Sequence, residues 1–246
     1  MLLLALLFAA GIWAGTQNAL AGGGSFVTLP ALILTGLDPR LANITSTVAL
    51  FPGQVTTGLA GRSLVAGAER LSFRALAVIS LAGGIAGAFL LLVTPPKLFG
   101  AMVPWLVLAA TGLFAWSSFG PKPKGGGAPP PAWVSAGLQA VIATYSGFFG
   151  GGAGIVTLAA LTLARMPIRN AGGTKNVLVS LSNIAAAIVF AATTAIPWTK
   201  ALAVGAGSMA GGYAGALLLQ RVPAIVLKAG VVVIGVALTI GLFIRG

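Results

Sequence analysis

The residues able to do chemistry in this chain are few, and they gather around two glycine-rich stretches. One reads Gly22-Gly23-Gly24-Ser25-Phe26-Val27-Thr28-Leu29-Pro30, the other Gly151-Gly152-Ala153-Gly154-Ile155-Val156-Thr157-Leu158-Ala159. Each is followed by a polar triplet, Thr45-Ser46-Thr47 and Thr174-Lys175-Asn176, and further on by an amide, Gln54 and Asn183. A shift of 129 positions lays one set on the other: residues 22–48 match 151–177 without a gap, and 12 of the 27 positions are identical. Apolar composition alone does not also align an Arg, two Thr and a glycine pair in one register, so the chain reads as an internal duplication.

The chemistry these residues offer is anion binding. Successive glycines break a helix, each costing roughly 1 kcal/mol relative to Ala in a helix interior, and a new helix then starts at Ser25 and near Ala153-Gly154. A helix N-terminus presents unpaired N–H groups and about half a positive charge. Glycines let a ligand approach that backbone. Lys175 lies six residues past Arg169, or about 9 Å along a helix, deeper than a loop cation needs to be, and neutralises an anion if it faces one. The expected substrate site is Gly22, Gly23, Gly24, Ser25, Thr45, Ser46, Thr47, Gln54, Gly151, Gly152, Ala153, Gly154, Thr174, Lys175, Asn176 and Asn183. A plainer reading stands beside it: glycines serve close helix packing, Lys175 snorkels to the interface, and the amides bond neighbouring helices. Gln17-Asn18 and Tyr145-Ser146, just before the breaks, are weaker candidates.

Absences narrow the chemistry further. The chain has no Cys and no His, and its only acids are Asp38 and Glu69. Disulfides and thiolate metal sites are excluded, and neither a hydrolase nor a carboxylate proton relay has residues to run on. The expectation is a protein that is not an enzyme, with no cofactor and no metal. A uniformly positive polar set disfavours a cation as cargo.

The elements that must position these residues are membrane helices. The chain is 58% hydrophobic and 7% charged over 246 residues, with mean hydropathy +1.04; a soluble domain carries about 25% charged residues. Apolar runs at 75–93, 98–119, 201–219 and 224–244 approach the ~20 residues that cross a bilayer core. The Lys and Arg are scattered singly at the ends of these runs, which argues for membrane topology and against nucleic acid. The fold class expected is an all-α polytopic membrane protein of two inverted repeats, each with about five helical segments and a glycine-broken, re-entrant short helix. The spans read as Leu2–Leu20, a short helix from Ser25 towards Gly36, Leu41–Ala60, 75–93, 98–119, 133–149, a short helix ending at Ala164, 171–195, 201–219 and 224–244. A Pro/Gly linker at 120–132, taken as cytoplasmic, separates an N-terminal repeat (1–119) from a C-terminal one (133–246). The opening segment lacks the positive start of a cleaved signal and is read as the first helix. Trp13, Trp105, Trp116, Trp133 and Trp198 fall near span ends, as interface anchors do.

Charge tests the topology. If each glycine hairpin enters and leaves on one side, nine basic residues share one face (62, 70, 74, 122, 124, 165, 169, 221, 228) against four (40, 97, 200, 245). If each pair is a single crossing, the split is seven against six. The positive-inside rule prefers the hairpins, with both termini outside.

The two segments resemble the sulfite exporter TauE/SafE family. The resemblance rests on Gly22-Gly23-Gly24-Ser25 with Leu37-Asp38-Pro39 and Thr45-Ser46, and on Gly150 to Gly154 with Met166-Pro167 and Thr174-Lys175-Asn176, and covers nearly the whole chain. It implies a secondary transporter, of the exporter kind, for sulfite or organosulfonate anions in the bacterial inner membrane. The expected partners are a small anionic substrate and the lipid bilayer, with no nucleic acid and with a homo-oligomer left open. A second class, an anion channel or a non-transporting membrane protein whose glycines only pack helices, is separated from the carrier by whether flux saturates.

Overall fold

The computed structural model describes residues 1–20, 23–60, 62–68, 70–120, 130–218 and 224–245. Gly22, Glu69, Lys122, Lys124, Arg221 and most of the 120–132 linker lie outside the described residues. Among the described residues ten helices run in order: α1 (Leu2–Leu20), α2 (Ser25–Leu34), α3 (Pro39–Ala60), α4 (Phe73–Val93), α5 (Pro96–Phe119), α6 (Ala132–Phe148), α7 (Ala153–Leu163), α8 (Ile168–Thr193), α9 (Trp198–Leu218) and α10 (Ala224–Arg245). A 3-10 turn at Arg62–Leu64 and a lone bridge between Ala68 and Leu71 shape the α3–α4 connection. Helices α3, α4, α5, α8 and α9 begin two or three residues before the sequence reading. Prolines cause part of this: Pro39 and Pro96 occupy the first helical turn, where their missing N–H costs nothing. Ser72 starts α4 by accepting the Ala75 N–H.

Three helices among the described residues, Phe73–Val93, Pro96–Trp116 and Arg169–Thr193, are long and apolar enough to cross a membrane. The surface is apolar as well: Val78, Phe89, Val141, Ile188 and all five Trp are exposed. Buried instead are Asn43, Thr45, Ser46 and Thr47 of α3 and Thr174, Ser180, Ser182 and Asn183 of α8. This polar-inside, apolar-outside distribution suits a bundle in lipid, where hydroxyls facing hydrocarbon are costly. Several hydroxyls are satisfied within their own helix, Thr45 on Leu41 O at 2.7 Å and Thr47 on Asn43 O at 3.0 Å. The chain is an all-α polytopic membrane protein.

Glycines let helices meet backbone to backbone. A side chain at Gly207 would collide with Phe8 O and one at Gly211 with Ile12 O, while Gly11 and Gly15 abut Val204 O and Ser208 O. Gly83 and Gly87 abut Ala143 and Thr144, and Gly147 meets Gly84 O. Both seams advance together along their helices, so α1 runs parallel to α9 and α6 parallel to α4. The pairings recur when α1–α5 are exchanged for α6–α10: α1 on α9 answers α6 on α4, α3 on α9 answers α8 on α4, and α2 on α3 answers α7 on α8. The contacts of α3 with α8 and of α5 with α10 map onto themselves.

These seams fix where the broken helices point. Because α1 runs parallel to α9, it starts at the α9 start, where Lys200 Nζ donates to Thr35 O at the end of α2 (3.0 Å). So α1 and α2 form a hairpin with both ends on that face. In the same way α6 starts beside the start of α4, where Leu161 and Met166 at the end of α7 pack with Leu76, Leu71 and Phe73. The end of α4 lies at the other face, held by Arg40 through Leu92 O and Thr94 O. The two hairpin tips therefore enter the bundle from opposite ends.

Candidate functional site

At each tip the backbone turns through glycine. Gly23 has φ +87°, Gly150 +77° and Gly152 +76°, left-handed values that other residues adopt only at a cost. Side chains from the preceding helix grip each turn: Gln17 Nε2 donates to Gly23 O (3.0 Å), Tyr145 donates to Gly151 O (2.5 Å), and Asn18 Oδ1 accepts from Gly24 N (2.7 Å). The tips meet, with Ser25 Oγ 3.9 Å from where a side chain on Gly150 would begin.

Between them lies a pocket lined by Asn18, Gly23, Ser25, Gln54, Gly150, Gly154, Lys175, Asn176, Val179, Ser180 and Asn183. Its chemistry is that of donors. Lys175 Nζ stands 3.7 Å from the Cβ position of Gly154, and neither it nor the Gly154 N–H has a hydrogen-bond partner among the described residues. Lys175 lines the pocket and is only partly accessible. Gln54 Oε1 accepts from Asn183 Nδ2 at 2.8 Å, and Asn183 Oδ1 accepts from Ser146 at 3.0 Å. With its oxygen used, Gln54 has its Nε2 donors left for a ligand. No carboxylate among the described residues lines the pocket. Residues 54 and 183 are the two amides aligned by the duplication, so they bond each other across the exchange of the halves.

Of the sixteen residues singled out from sequence, Gly23, Ser25, Gln54, Gly154, Lys175, Asn176 and Asn183 line this pocket. Gly22 lies outside the described residues, and the remaining eight do not line the pocket. Thr45 and Thr47 bond within α3, and Ser46 meets Thr28 Oγ1 at 2.6 Å. Thr174 holds the α3–α4 connection, accepting from Ala66 N (2.9 Å) and donating to Ala66 O (3.2 Å). Gly24, Gly151, Gly152 and Ala153 build the turns behind it. Val179 and Ser180, which sequence reasoning missed, follow Lys175 and Asn176 by one helical turn. The stripe 175, 176, 179, 180, 183 on one face of α8 was the signal for them. Ser180 also ties α8 to α3 by donating to Gln54 O (3.0 Å).

A multi-pass helical bundle with a donor-lined chamber between two broken hairpins is the build of a membrane transporter. The chain belongs to the sulfite exporter TauE/SafE family, whose model matches residues 7–242. Similar proteins include a probable membrane transporter protein of a Sinorhizobium species, 32% identical over 98% of this chain and 92% of that protein. Another probable membrane transporter protein, from Haemophilus influenzae, is 29% identical over 96% and 93%. The probable membrane transporter protein YfcA of Escherichia coli K12 is 27% identical over 89% and 81%. No solved structure matches the chain. The protein is a membrane transporter and not an enzyme.

Proposed function

We propose that this chain is a secondary transporter that exports small sulfur-containing anions, sulfite or organosulfonates, across the bacterial inner membrane. The observation that carries the anion is the Lys175 ammonium beside the start of α7, unpaired among the described residues, in a pocket that no carboxylate among them lines. Ammonium, amide donors and a helix N-terminus together favour an oxyanion and repel a cation. Sulfur and the outward direction come from the family's description. The carrier works by alternating access between two inverted halves, 1–119 and 133–246, related by a two-fold axis in the membrane plane. Support comes from the exchange-symmetric helix pairings and from hairpins that enter at opposite ends. Counting basic residues puts the Arg70 and Arg169 face in the cytoplasm and both termini outside.

Flux into proteoliposomes tests this reading. The wild-type chain is expected to move sulfite or ethanesulfonate saturably, with acetate and sulfonates competing, and Lys175→Met is expected to reduce flux at least tenfold while the protein still folds. Flux that is linear in concentration makes the protein a channel; flux indifferent to Lys175 removes the site.

A further inference from the structure

The pocket's two ends are not equivalent, although the sequence duplication aligns them. At the α7 end, Gly152 caps the helix without a side chain, the Gly154 N–H has no acceptor among the described residues, and Lys175 Nζ lies alongside. At the α2 end, Asn18 Oδ1 takes the Gly24 N–H at 2.7 Å. The residue aligned with Asn18 in the second half is Gly147, which has no side chain to do the same. The residue aligned with Lys175 is Ser46, buried and closed against Thr28 Oγ1 at 2.6 Å. One end is therefore cationic, and the other neutral.

Resting on the anion reading above, we infer that the ligand binds in one orientation: a singly charged oxyanion head at Gly154 and Lys175, and an uncharged hydrogen-bonding group at Ser25 and Gln54. Among the described residues one ammonium lines the pocket, so a second negative charge on the ligand would sit desolvated at the α2 end with no cation among them to meet it. What the α2 end offers instead is the Ser25 hydroxyl, with no partner among the described residues, and the Gln54 Nε2 donors, whose oxygen is held by Asn183. Donors left unmet by an apolar ligand tail cost affinity, so a hydroxyl or carbonyl belongs there. The cargo class is then the monoanionic sulfonate with a polar, uncharged tail, in preference to sulfate or to a sulfonate that also carries a carboxylate.

The experiment is a calorimetric titration of the purified full-length protein with four probes: 2-hydroxyethanesulfonate, ethanesulfonate, sulfoacetate and sulfate. The hydroxylated monoanion is expected to bind tightest, with each of the other three at least tenfold weaker. Lys175→Met is expected to abolish all binding. Gln54→Leu is expected to abolish the preference, so that hydroxyethanesulfonate binds no tighter than ethanesulfonate; Ser25→Ala supports the same comparison if the leucine variant does not fold. Sulfoacetate or sulfate binding as tightly as hydroxyethanesulfonate, with Lys175 still required, overturns the orientation and leaves the anion site standing. Absence of binding by all four to the wild type, or binding unaffected by Lys175→Met, overturns the anion site and the orientation with it.

Discussion

Gly150 and Gly154 lie four residues apart and are glycine for different reasons, so alanine should separate the roles. Gly150 has φ +77°, where an L side chain costs about 1–2 kcal/mol; Gly150→Ala should lower the thermal unfolding midpoint in detergent. Gly154 is inside α7, and a methyl there would meet Lys175 atoms at 3.7–3.9 Å, an ordinary contact. Alanine also gains up to about 1 kcal/mol over glycine inside a helix, so Gly154→Ala should melt no lower than wild type. The same methyl takes the space beside the ammonium, and anion titration should show weaker binding. Undiminished anion binding by Gly154→Ala would take the ligand away from the start of α7. Much of this was legible in sequence, because glycine runs and an unpaired lysine are visible without a fold. The role of Asn18 was not, since an amide that accepts from Gly24 N requires knowing that the chain doubles back there. Nor was the diversion of Thr174, whose partner Ala66 lies 108 residues away.

At the scale of elements, close packing engages glycines outside the breaks as well as Gly24, whose Cβ position lies 2.6 Å from Ala14 O. Helix α6 offers a matched pair. A Cβ on Gly147 would fall 2.2 Å from Gly84 O, whereas one on Gly137 would meet nothing within 4 Å. Backbone cannot yield as a flexible side chain does, so Gly147→Ala must part α6 from α4 at a cost typical of overpacking, about 1–3 kcal/mol or more. Gly137→Ala should be neutral or slightly stabilising. Parallel thermal melts of the two variants check this, and equal midpoints would mean that the α4–α6 seam is looser than described. Helix ends were read to within about three residues because Pro, Gly and Asp38 punctuate them. Asp38 Oδ1 accepts from Arg40 N and Leu41 N, both at 3.1 Å, and so caps α3. Which helices pair was not readable, because close-contact glycines look the same in sequence whatever they face.

For the whole molecule the decisive question is whether each glycine break is a hairpin or part of a crossing. Helices α2 and α7 have 10 and 11 residues, about 15–17 Å at 1.5 Å per residue, short of the ~30 Å core. Together with α1 parallel to α9 and Lys200 closing the end of α2, this length requires the chain to return to the face it entered. The two arrangements make opposite forecasts for Arg70 and Arg169, which share a face if the breaks are hairpins and are separated if they are crossings. Lys97 lies opposite Arg70 in both. All three are exposed, and the chain has no cysteine of its own, so a single introduced thiol is the only one a reagent can find. With a membrane-impermeant maleimide on intact cells, Lys97→Cys should label directly, and Arg70→Cys and Arg169→Cys only after permeabilisation. Labelling of Arg169→Cys together with Lys97→Cys would replace the hairpins by crossings and put the tips of α2 and α7 out of each other's reach. If Arg70 and Arg169 label alike, the halves are inverted about the Gln54–Asn183 bond. The chamber then sits where a rocking of one half against the other can open it to either side.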